Sequence, residues 1–408
     1  MLLCAGWIIL LWKAGRSHLC TTAGGILYLA WGAIAGKKMG DDTSLLTLFL
    51  CGDVMTGRGL DQVLPVSVDP QLYEAYVQDA RDYVRLAERK NGEISKPVAY
   101  TYPWGDALEV WDRVKPQARI INLETSITTH PQPWPGKQVQ YRMHPNNVKL
   151  LNAASINIAT LANNHTLDWG RPGLAETLQV LHQAGISTAG AGQNLKEAQQ
   201  PAVLPLPQGR LIVLAYGSPS SGVYPEWAAG PSQSGINFLP DLSQGTLQSI
   251  TTYLKNVKKP GDVVIFSVHW GGNWGYDIPA AHRAFAHRLI EEAGVDAVFG
   301  HSSHHPMGLE VYRGKMIMYG AGGFINDYEG IAGHEPFRSD LSLMYFPVLE
   351  PATGRLVSLR MVPLQIRMFR LHYASEEDNA WLAQVLHRES MKFGTAVKRQ
   401  GKYLVLEF

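Results

Sequence analysis

The chain has 408 residues, of which 46% are hydrophobic and 17% are charged. Its 36 Lys and Arg residues nearly balance 35 Asp and Glu residues, so the formal net charge is +1. This composition excludes a disordered chain, and the balanced charge offers neither a basic surface for nucleic acid nor an acidic tail. The three cysteines, Cys4, Cys20 and Cys51, all lie near the start, which excludes a disulfide scaffold for the rest of the chain.

The first 38 residues form a hydrophobic N-terminal segment. Residues 19–36 are uncharged and are followed by Lys37 and Lys38, and this run is at the lower edge of the about 17–25 residues that span a bilayer. Three interpretations are open: a membrane anchor, a signal segment, or a stretch upstream of a true start at Met39. The first two predict a membrane-anchored or extracytoplasmic protein, and the third predicts a cytoplasmic one.

From residue 45 onward, short apolar runs end in polar or glycine-rich clusters, and a helix or loop follows. Near-continuous apolar strands are typical of an α/β sheet covered on both faces. Helices do not separate all the strands, which indicates a mixed sheet or two stacked sheets with helices outside. The predicted strands are 45–50, 118–121, 156–162, 263–268, 295–299 and 315–319.

Helices and a hairpin are predicted between and after these strands. Apolar residues at helical spacing predict a helix over 71–90. Proline favours the first turn of a helix and glycine the position after its end. The other predictions are a helix from Pro172 that stops at Gly185, one from Pro279 that stops at Gly294, a hairpin over 341–366 and a terminal helix over 376–393.

Polar side chains follow the predicted strands at their carboxyl ends, where functional residues of open α/β sheets gather. They are Asp53, Asn122, Glu124, Asn163, Asn164, His165, His269, His301, His304 and His305. Carboxylate, amide and imidazole groups suit Mn, Fe or Zn, and the absence of thiolates argues against a thiolate site. A dinuclear site would use roughly seven or eight such groups, about the number present. The sequence therefore predicts a divalent metal site with one or two ions per chain.

Residues near these strand ends are candidates for binding a substrate. Arg58 is a candidate for holding a phosphate or carboxylate with two N–H groups, with a surface arginine as the alternative. A later loop carries four further candidates, which would line a substrate wall or pack against a neighbouring loop. They are Trp270, Asn273, Trp274 and Tyr276.

In this order, the strand-end motifs resemble those of the CapA family, whose members are named for poly-γ-glutamate capsule synthesis. The family is similar in turn to calcineurin-like metallophosphoesterases. The resemblance is carried by Gly-Asp-Val-Met-Thr-Gly-Arg at 52–58, Asn-Leu-Glu at 122–124, Ala-Asn-Asn-His-Thr-Leu-Asp-Trp-Gly at 162–170, Gly-Ala-Gly at 190–192, His-Trp-Gly at 269–271 and Gly-His-Ser-Ser-His at 300–304. It spans roughly residues 45–340 and implies a four-layer α/β/β/α sandwich of the metallo-dependent phosphatase type. We predict that this domain covers residues 45–370 and that residues 371–408 form a C-terminal helix-and-strand extension.

The resemblance also implies roles for individual residues. His165 corresponds to a general acid or transition-state stabiliser, and Asn163 beside it is expected to bind substrate. The implied metal ligands are Asp53, Glu124, Asn164, His269, His301 and His304.

Three departures from the phosphoesterase pattern weaken the match to a dinuclear site. Met55 stands where the phosphoesterases have a histidine ligand, and Glu124 replaces an aspartate. Two residues rather than one separate His301 from the next histidine, so either His304 or His305 completes the set. We therefore expect a second metal to be weaker, or absent.

Three functions compete. The first is a CapA-like protein of poly-γ-glutamate or capsule biosynthesis with a metal-dependent hydrolase site, and a membrane capsule-synthesis complex is its candidate partner. The second is a metallophosphoesterase acting on an unrelated phosphate ester. The third is a module without enzymatic activity that binds an anionic polymer in the same cleft. No P-loop is present, which argues against an ATP-using ligase of capsule synthesis.

Overall fold

The computed structural model describes residues 45–207 and 209–408. The hydrophobic segment predicted over residues 1–38 lies outside this part of the chain, so its three interpretations stay open. Among the described residues, no helix combines the length and the apolar character that crossing a membrane requires.

Helices and strands are interspersed along the described chain. The helices are α1 Arg58–Val63, α2 Arg81–Asn91, α3 Ala107–Val114, α4 Lys149–Ala153, α5 Gly170–Gln183, α6 Leu195–Gln199, α7 Gln244–Val257, α8 Ala280–Glu291 and α9 Glu376–Met391. The strands are β1 Leu46–Cys51, β2 Asp53–Val54, β3 Ala118–Leu123, β4 Ser126–Ile127, β5 Arg142–Met143, β6 Ile158–Thr160, β7 Ser187–Ala189, β8 Ala191–Gly192, β9 Ala202–Pro205, β10 Arg210–Gly217, β11 Gly235–Ile236, β12 Val263–His269, β13 Ala297–His301, β14 Leu309–Tyr312, β15 Lys315–Met318, β16 Gly323–Ile325, β17 Leu341–Glu350, β18 Arg355–Arg367, β19 Arg370–Tyr373, β20 Ala396–Gln400 and β21 Tyr403–Glu407.

Two large sheets organise the fold. The first has the order β16-β2-β3-β1-β17-β18-β21-β20, with β6 beside β3, β7 beside β6, and β19 beside β18. It is mixed, since β1 is parallel to β3 and antiparallel to β17. The second has the order β14-β15-β13-β12-β10-β9, with parallel central strands and an antiparallel strand at each edge. Strand β10, which was not among the predicted strands, lies inside this second sheet.

Successive side chains along each strand point to opposite faces of its sheet, so the core has three layers of side chains. In β1, Leu48 and Leu50 point into the space between the sheets, whereas Phe49 packs against α3 on the outer face. In β12, Ile265 lies between the sheets and Phe266 packs toward α7 and α8. Helices α1 to α5 therefore cover the first sheet, and α7 and α8 cover the second. The predicted α/β/β/α order of four layers is confirmed.

The helix predicted over 71–90 is wrong in its first half, because α2 begins only at Arg81. Residues 71–80 form a loop in which Gln71 and Asp79 make a β-bridge. Glu74 in this loop is buried and accepts a hydrogen bond from Arg58 at 2.9 Å. This tertiary contact outweighs the local helical pattern.

The other predicted helices are present with small shifts of their ends, as α5, α8 and α9. The predicted hairpin is also confirmed, since β17 and β18 pair antiparallel over their length. Beyond residue 370, β21 pairs with β18 and β20 with β21. The C-terminal residues thus complete one side of the first sheet.

Candidate functional site

The two sheets bring their polar strand ends together at one edge. In the first sheet, Asp53 of β2 lies opposite Asn122 of β3, and Glu124 follows β3 directly. In the second sheet, His269 of β12 lies opposite His301 of β13. The Ser302 backbone N–H donates to Asp53 Oδ2 at 3.2 Å, which joins the ends of the two sheets.

Three of these residues form a buried group of ligand atoms. Asp53, Glu124 and His269 place one ligand atom each within 4.8 Å of one another. His269 Nε2 lies 3.7 Å from Glu124 Oε1, and His301 Nδ1 lies 3.3 Å from Asp53 Oδ1. We call Asp53, Glu124, His269 and His301 the acceptor cluster.

The acceptor cluster fits a divalent ion. Within residues 45–207 and 209–408, the buried His269 Nε2 has no hydrogen-bond partner, and neither does Oδ1 of nearby Asn164. His301 Nδ1 faces Asp53 Oδ1. Burial, and then the charge of Asp53, raises the pKa of Glu124 well above its ordinary value, because two buried carboxylates repel each other. Burial lowers the pKa of His269 to about 3, so its ring is in the neutral form that binds metals.

Asn122 contacts two members of the acceptor cluster and fixes their orientation. Its Nδ2 donates to Asp53 Oδ1 at 2.7 Å and lies 3.4 Å from His269 Nδ1. Its Oδ1 accepts a hydrogen bond from Asn163 Nδ2 at 3.1 Å. This amide therefore fixes a carboxylate of the first sheet relative to an imidazole of the second.

His165 lies beside the acceptor cluster and is held on three sides. Its Nδ1 lies 2.7 Å from Asp168 Oδ2, and its ring stacks on Tyr141 with centroids 3.8 Å apart. Lys137 Nζ lies 2.6 Å from Asp168 Oδ1 and 3.0 Å from His165 Nδ1. Burial lowers the pKa of His165 to about 4. The ring is neutral near pH 7, and its Nε2 lies 3.9 Å from Glu124 Oε1.

A cleft of about 550 Å³ opens beside His165. The predicted residues Arg58, Asn164, His165, Asn273 and His304 line it. Asn326, which follows the predicted turn at residues 320–323 and is a weaker site candidate from the sequence, lines the cleft as well. The residues that line it without having been predicted as site residues include Lys137, Tyr141, Tyr328, His334 and Arg338. The site therefore combines a buried acceptor cluster with an adjoining cleft of the size that binds small ligands.

Arg58 is neither a surface residue nor a free cation. It is 4% exposed, and its guanidinium makes a bidentate ion pair with Asp327 and a second ion pair with Glu74 at 2.9 Å. Two carboxylates thus offset its charge although it lines the cleft.

The structure places three other predicted substrate contacts away from the cleft. Trp270 is buried, where it stacks on His282 and donates from Nε1 to the Tyr319 carbonyl at 3.0 Å. Tyr276 packs against His305. Asn163 is buried, and its amide is bonded to Asn122 and to backbone groups of the same sheet edge. Trp274, another candidate from the same loop, does line the cleft and stacks on His334 with centroids 3.9 Å apart.

The two histidines that compete for the last ligand position differ in their surroundings. His304 lines the cleft and its ring centroid lies 5.1 Å from that of Tyr328. His305 is fully buried, with its ring 4.8 Å from Phe337. The geometry favours His304 as the residue that faces a ligand.

Sequence reasoning missed Asp168, Lys137, Tyr141 and Tyr328. Asp168 lies within the quoted motif at 162–170, so its position three residues after His165 was a usable signal. The other three had none, because they reach the cleft from loops rather than from strand ends.

Comparisons with known proteins identify the family of the chain. The model of the family described as "Bacterial capsule synthesis protein PGA_cap" matches residues 47–328. The chain therefore belongs to this family of bacterial capsule synthesis proteins.

Named relatives cover most of the chain. A protein of Mycobacterium tuberculosis named "Probable polyglutamine synthesis accessory protein" is 46% identical over 361 residues, which are 88% of this chain and 95% of the relative. The "PGA biosynthesis protein CapA" of Bacillus subtilis is 25% identical over 78% of this chain and 71% of its own length. A solved structure described as a novel phosphatase from Mycoplasma pneumoniae aligns with a TM-score of 0.41 and 12% identity, over 79% of this chain and 94% of that one. That structural similarity is too low to support an assignment.

Proposed function

We propose that the chain is a divalent-metal-dependent hydrolase that acts on an anionic polymer of the poly-γ-glutamate type during capsule synthesis. The observation that carries the proposal is the buried triad of Asp53, Glu124 and His269, with ligand atoms within 4.8 Å of one another. The names of the family and of its relatives support the polymer as the substrate class.

The triad would hold the ion, with Asn164 and His301 as further ligands. We propose one ion rather than two. Met55 is buried, and its sulfur accepts a hydrogen bond from the Gly57 backbone N–H at 3.2 Å. That position therefore offers no nitrogen ligand for a second ion.

His165 would move the proton in the reaction. A divalent ion in such a site acts as a Lewis acid and lowers the pKa of water toward about 7. Asp168 Oδ2 lies closer to His165 Nδ1 than Lys137 Nζ does, which assigns the ring proton to Nδ1. Nε2 is then an acceptor beside Glu124, and this suits His165 to take a proton from the attacking water. The hydrogen bond thus favours a general base over the general acid suggested by the family resemblance.

Metal analysis tests the proposal. Purified protein reconstituted with Mn²⁺, Fe²⁺ or Zn²⁺ should retain about one ion per chain, as measured by elemental mass spectrometry. His269→Ala should weaken binding by about tenfold or more, because it removes a direct ligand. His282→Ala is the matched control, since His282 is also buried but lies outside the acceptor cluster, against Trp270.

A wild-type protein that binds no metal after reconstitution would overturn the proposal. When metal is bound, release of fragments from poly-γ-glutamate supports the polymer as substrate. Hydrolysis of p-nitrophenyl phosphate without polymer cleavage would instead support the phosphoesterase alternative.

A further inference from the structure

Three side chains of the cleft supply hydrogen-bond donors, and among the described residues two of these donor groups find no acceptor. Asn326 is 4% exposed, and its Oδ1 accepts from the Tyr328 backbone N–H at 3.1 Å. Its Nδ2 has no hydrogen-bond partner within residues 45–207 and 209–408. We call Asn326, Tyr141 and Tyr328 the donor wall.

The two tyrosines leave one further donor free. The Tyr141 and Tyr328 hydroxyl oxygens lie 3.1 Å apart, so one proton bridges them. In the described part of the chain, neither hydroxyl makes another hydrogen bond, and the second proton is available to a ligand. Burial raises the pKa of both hydroxyls, so both stay protonated.

The donor wall lies next to two histidines of the candidate site, His165 and His304. The Tyr141 ring stacks on His165, and the Tyr328 ring lies 5.1 Å from His304. In the part of the chain that the structure describes, acceptors without partners thus lie at the candidate metal position, and donors without acceptors lie in the adjoining wall. A buried donor without an acceptor is unfavourable, so a ligand with an acceptor oxygen would complete the wall.

The charges around the wall favour an uncharged oxygen. The buried cations that line the cleft are offset by carboxylates, because Arg58 pairs with Asp327 and Glu74, and Lys137 pairs with Asp168. Arg338 pairs with Asp340 and Asp378. Lys90 lies at the exposed rim. The wall itself therefore offers neutral amide and phenol donors, which suit a carbonyl oxygen.

We propose that the donor wall binds the carbonyl oxygen of an amide group in the substrate and holds that amide beside His165. This inference rests on the proposed function, since it names the substrate group recognised in the same cleft. It distinguishes an amide-linked polymer from a phosphate ester.

Binding by the metal-loaded full chain tests the proposal, with isothermal titration calorimetry as the readout. The probes are a γ-linked glutamate pentamer, monomeric glutamate and inorganic phosphate. Tyr328→Phe and Asn326→Ala should each weaken pentamer binding about threefold to tenfold, the usual effect of one lost hydrogen bond. Glutamate lacks the γ-amide, and phosphate lacks any amide, so both should bind the variants within about twofold of wild type.

Tyr253→Phe is the matched control, because it removes a hydroxyl from α7, outside the cleft. Circular dichroism reports the folding of each variant, and the metal content reports its ion site. Neither should differ from wild type in Tyr328→Phe, Asn326→Ala or Tyr253→Phe. Pentamer binding that is absent from the wild type, or equal in both variants and wild type, would overturn the donor wall. Equal weakening of glutamate or phosphate binding would overturn the assignment to a carbonyl oxygen. Failure of the proposed function would be recognised separately, because the reconstituted wild-type protein would then retain no metal.

Discussion

Arg58 shows how far the surroundings of one residue decide its chemistry. An arginine after the first strand suggests an anion contact, yet this guanidinium is almost completely buried between two carboxylates. Its backbone also has a φ of 45°, an uncommon value for a residue other than glycine. The buried ion pairs of Arg58 with Glu74 and Asp327 therefore stabilise the wall of the cleft.

Asp327→Ala should destabilise the protein by about 3–5 kcal/mol, because it leaves the buried charge of Arg58 with an incomplete set of partners. Urea unfolding followed by circular dichroism measures the loss. Glu109→Ala is the control, since Glu109 is 69% exposed in its ion pair with Arg113, and such pairs contribute about 0–1 kcal/mol. Similar losses in the two variants would contradict the importance of the buried pair.

At the scale of elements, the close approach of strands depends on glycine. In β13, a Cβ atom on Gly300 would lie 2.2 Å from the Tyr319 carbonyl oxygen and 2.6 Å from that of Met318. These carbonyls belong to the end of β15 and the turn after it, and backbone atoms cannot move aside cheaply. Gly300 precedes His301, so the fit between these segments positions a member of the acceptor cluster.

Gly300→Ala should therefore cost about 1–3 kcal/mol, the usual range for overpacking a tight site. It should also weaken metal binding through a shift of His301, which elemental analysis after dialysis would detect. Gly272→Ala provides the comparison, because nothing lies within 4 Å of a Cβ atom at that position. An alanine at 300 that leaves both stability and metal content unchanged would refute this explanation.

At the scale of the whole molecule, the C-terminal residues are part of the core. Leu386 of α9 and Leu404 of β21 are fully buried in the apolar layer between the two sheets. The same layer contains residues of β1 and β12, which approach the acceptor cluster at their ends. The chain beyond residue 370 thus stabilises the layer that holds the two sheets together.

Leu404→Ala should lower the free energy of unfolding by about 2–5 kcal/mol, through lost burial and the cavity left behind. Thermal unfolding monitored by circular dichroism would show a single lower transition. Met391→Ala, at a residue that is 55% exposed, should stay within about 0.5 kcal/mol of wild type. A loss at Leu404 no larger than at Met391 would mean that the extension is not coupled to the core.

The sequence by itself determined much of the layer architecture. Strand and helix periods repeat within a few residues, so β1, β12 and the hairpin of β17 and β18 were readable from local pattern. The motif residues Asp53, Glu124 and His269 were also readable, because they follow strands directly and parallel strands present their carboxyl ends at a common edge.

Only the tertiary structure decided which side chains meet in the cleft. Residues 71–80 have a helical pattern, but Glu74 bonds to Arg58 and the segment forms a loop. Trp270 and Trp274 lie in one loop, and packing buries the first while the second lines the cleft. Tyr141 and Tyr328 are 187 positions apart, yet their hydroxyls form a hydrogen bond. Local sequence encodes periodicity and the ends of strands, whereas contacts between distant loops depend on how whole layers pack.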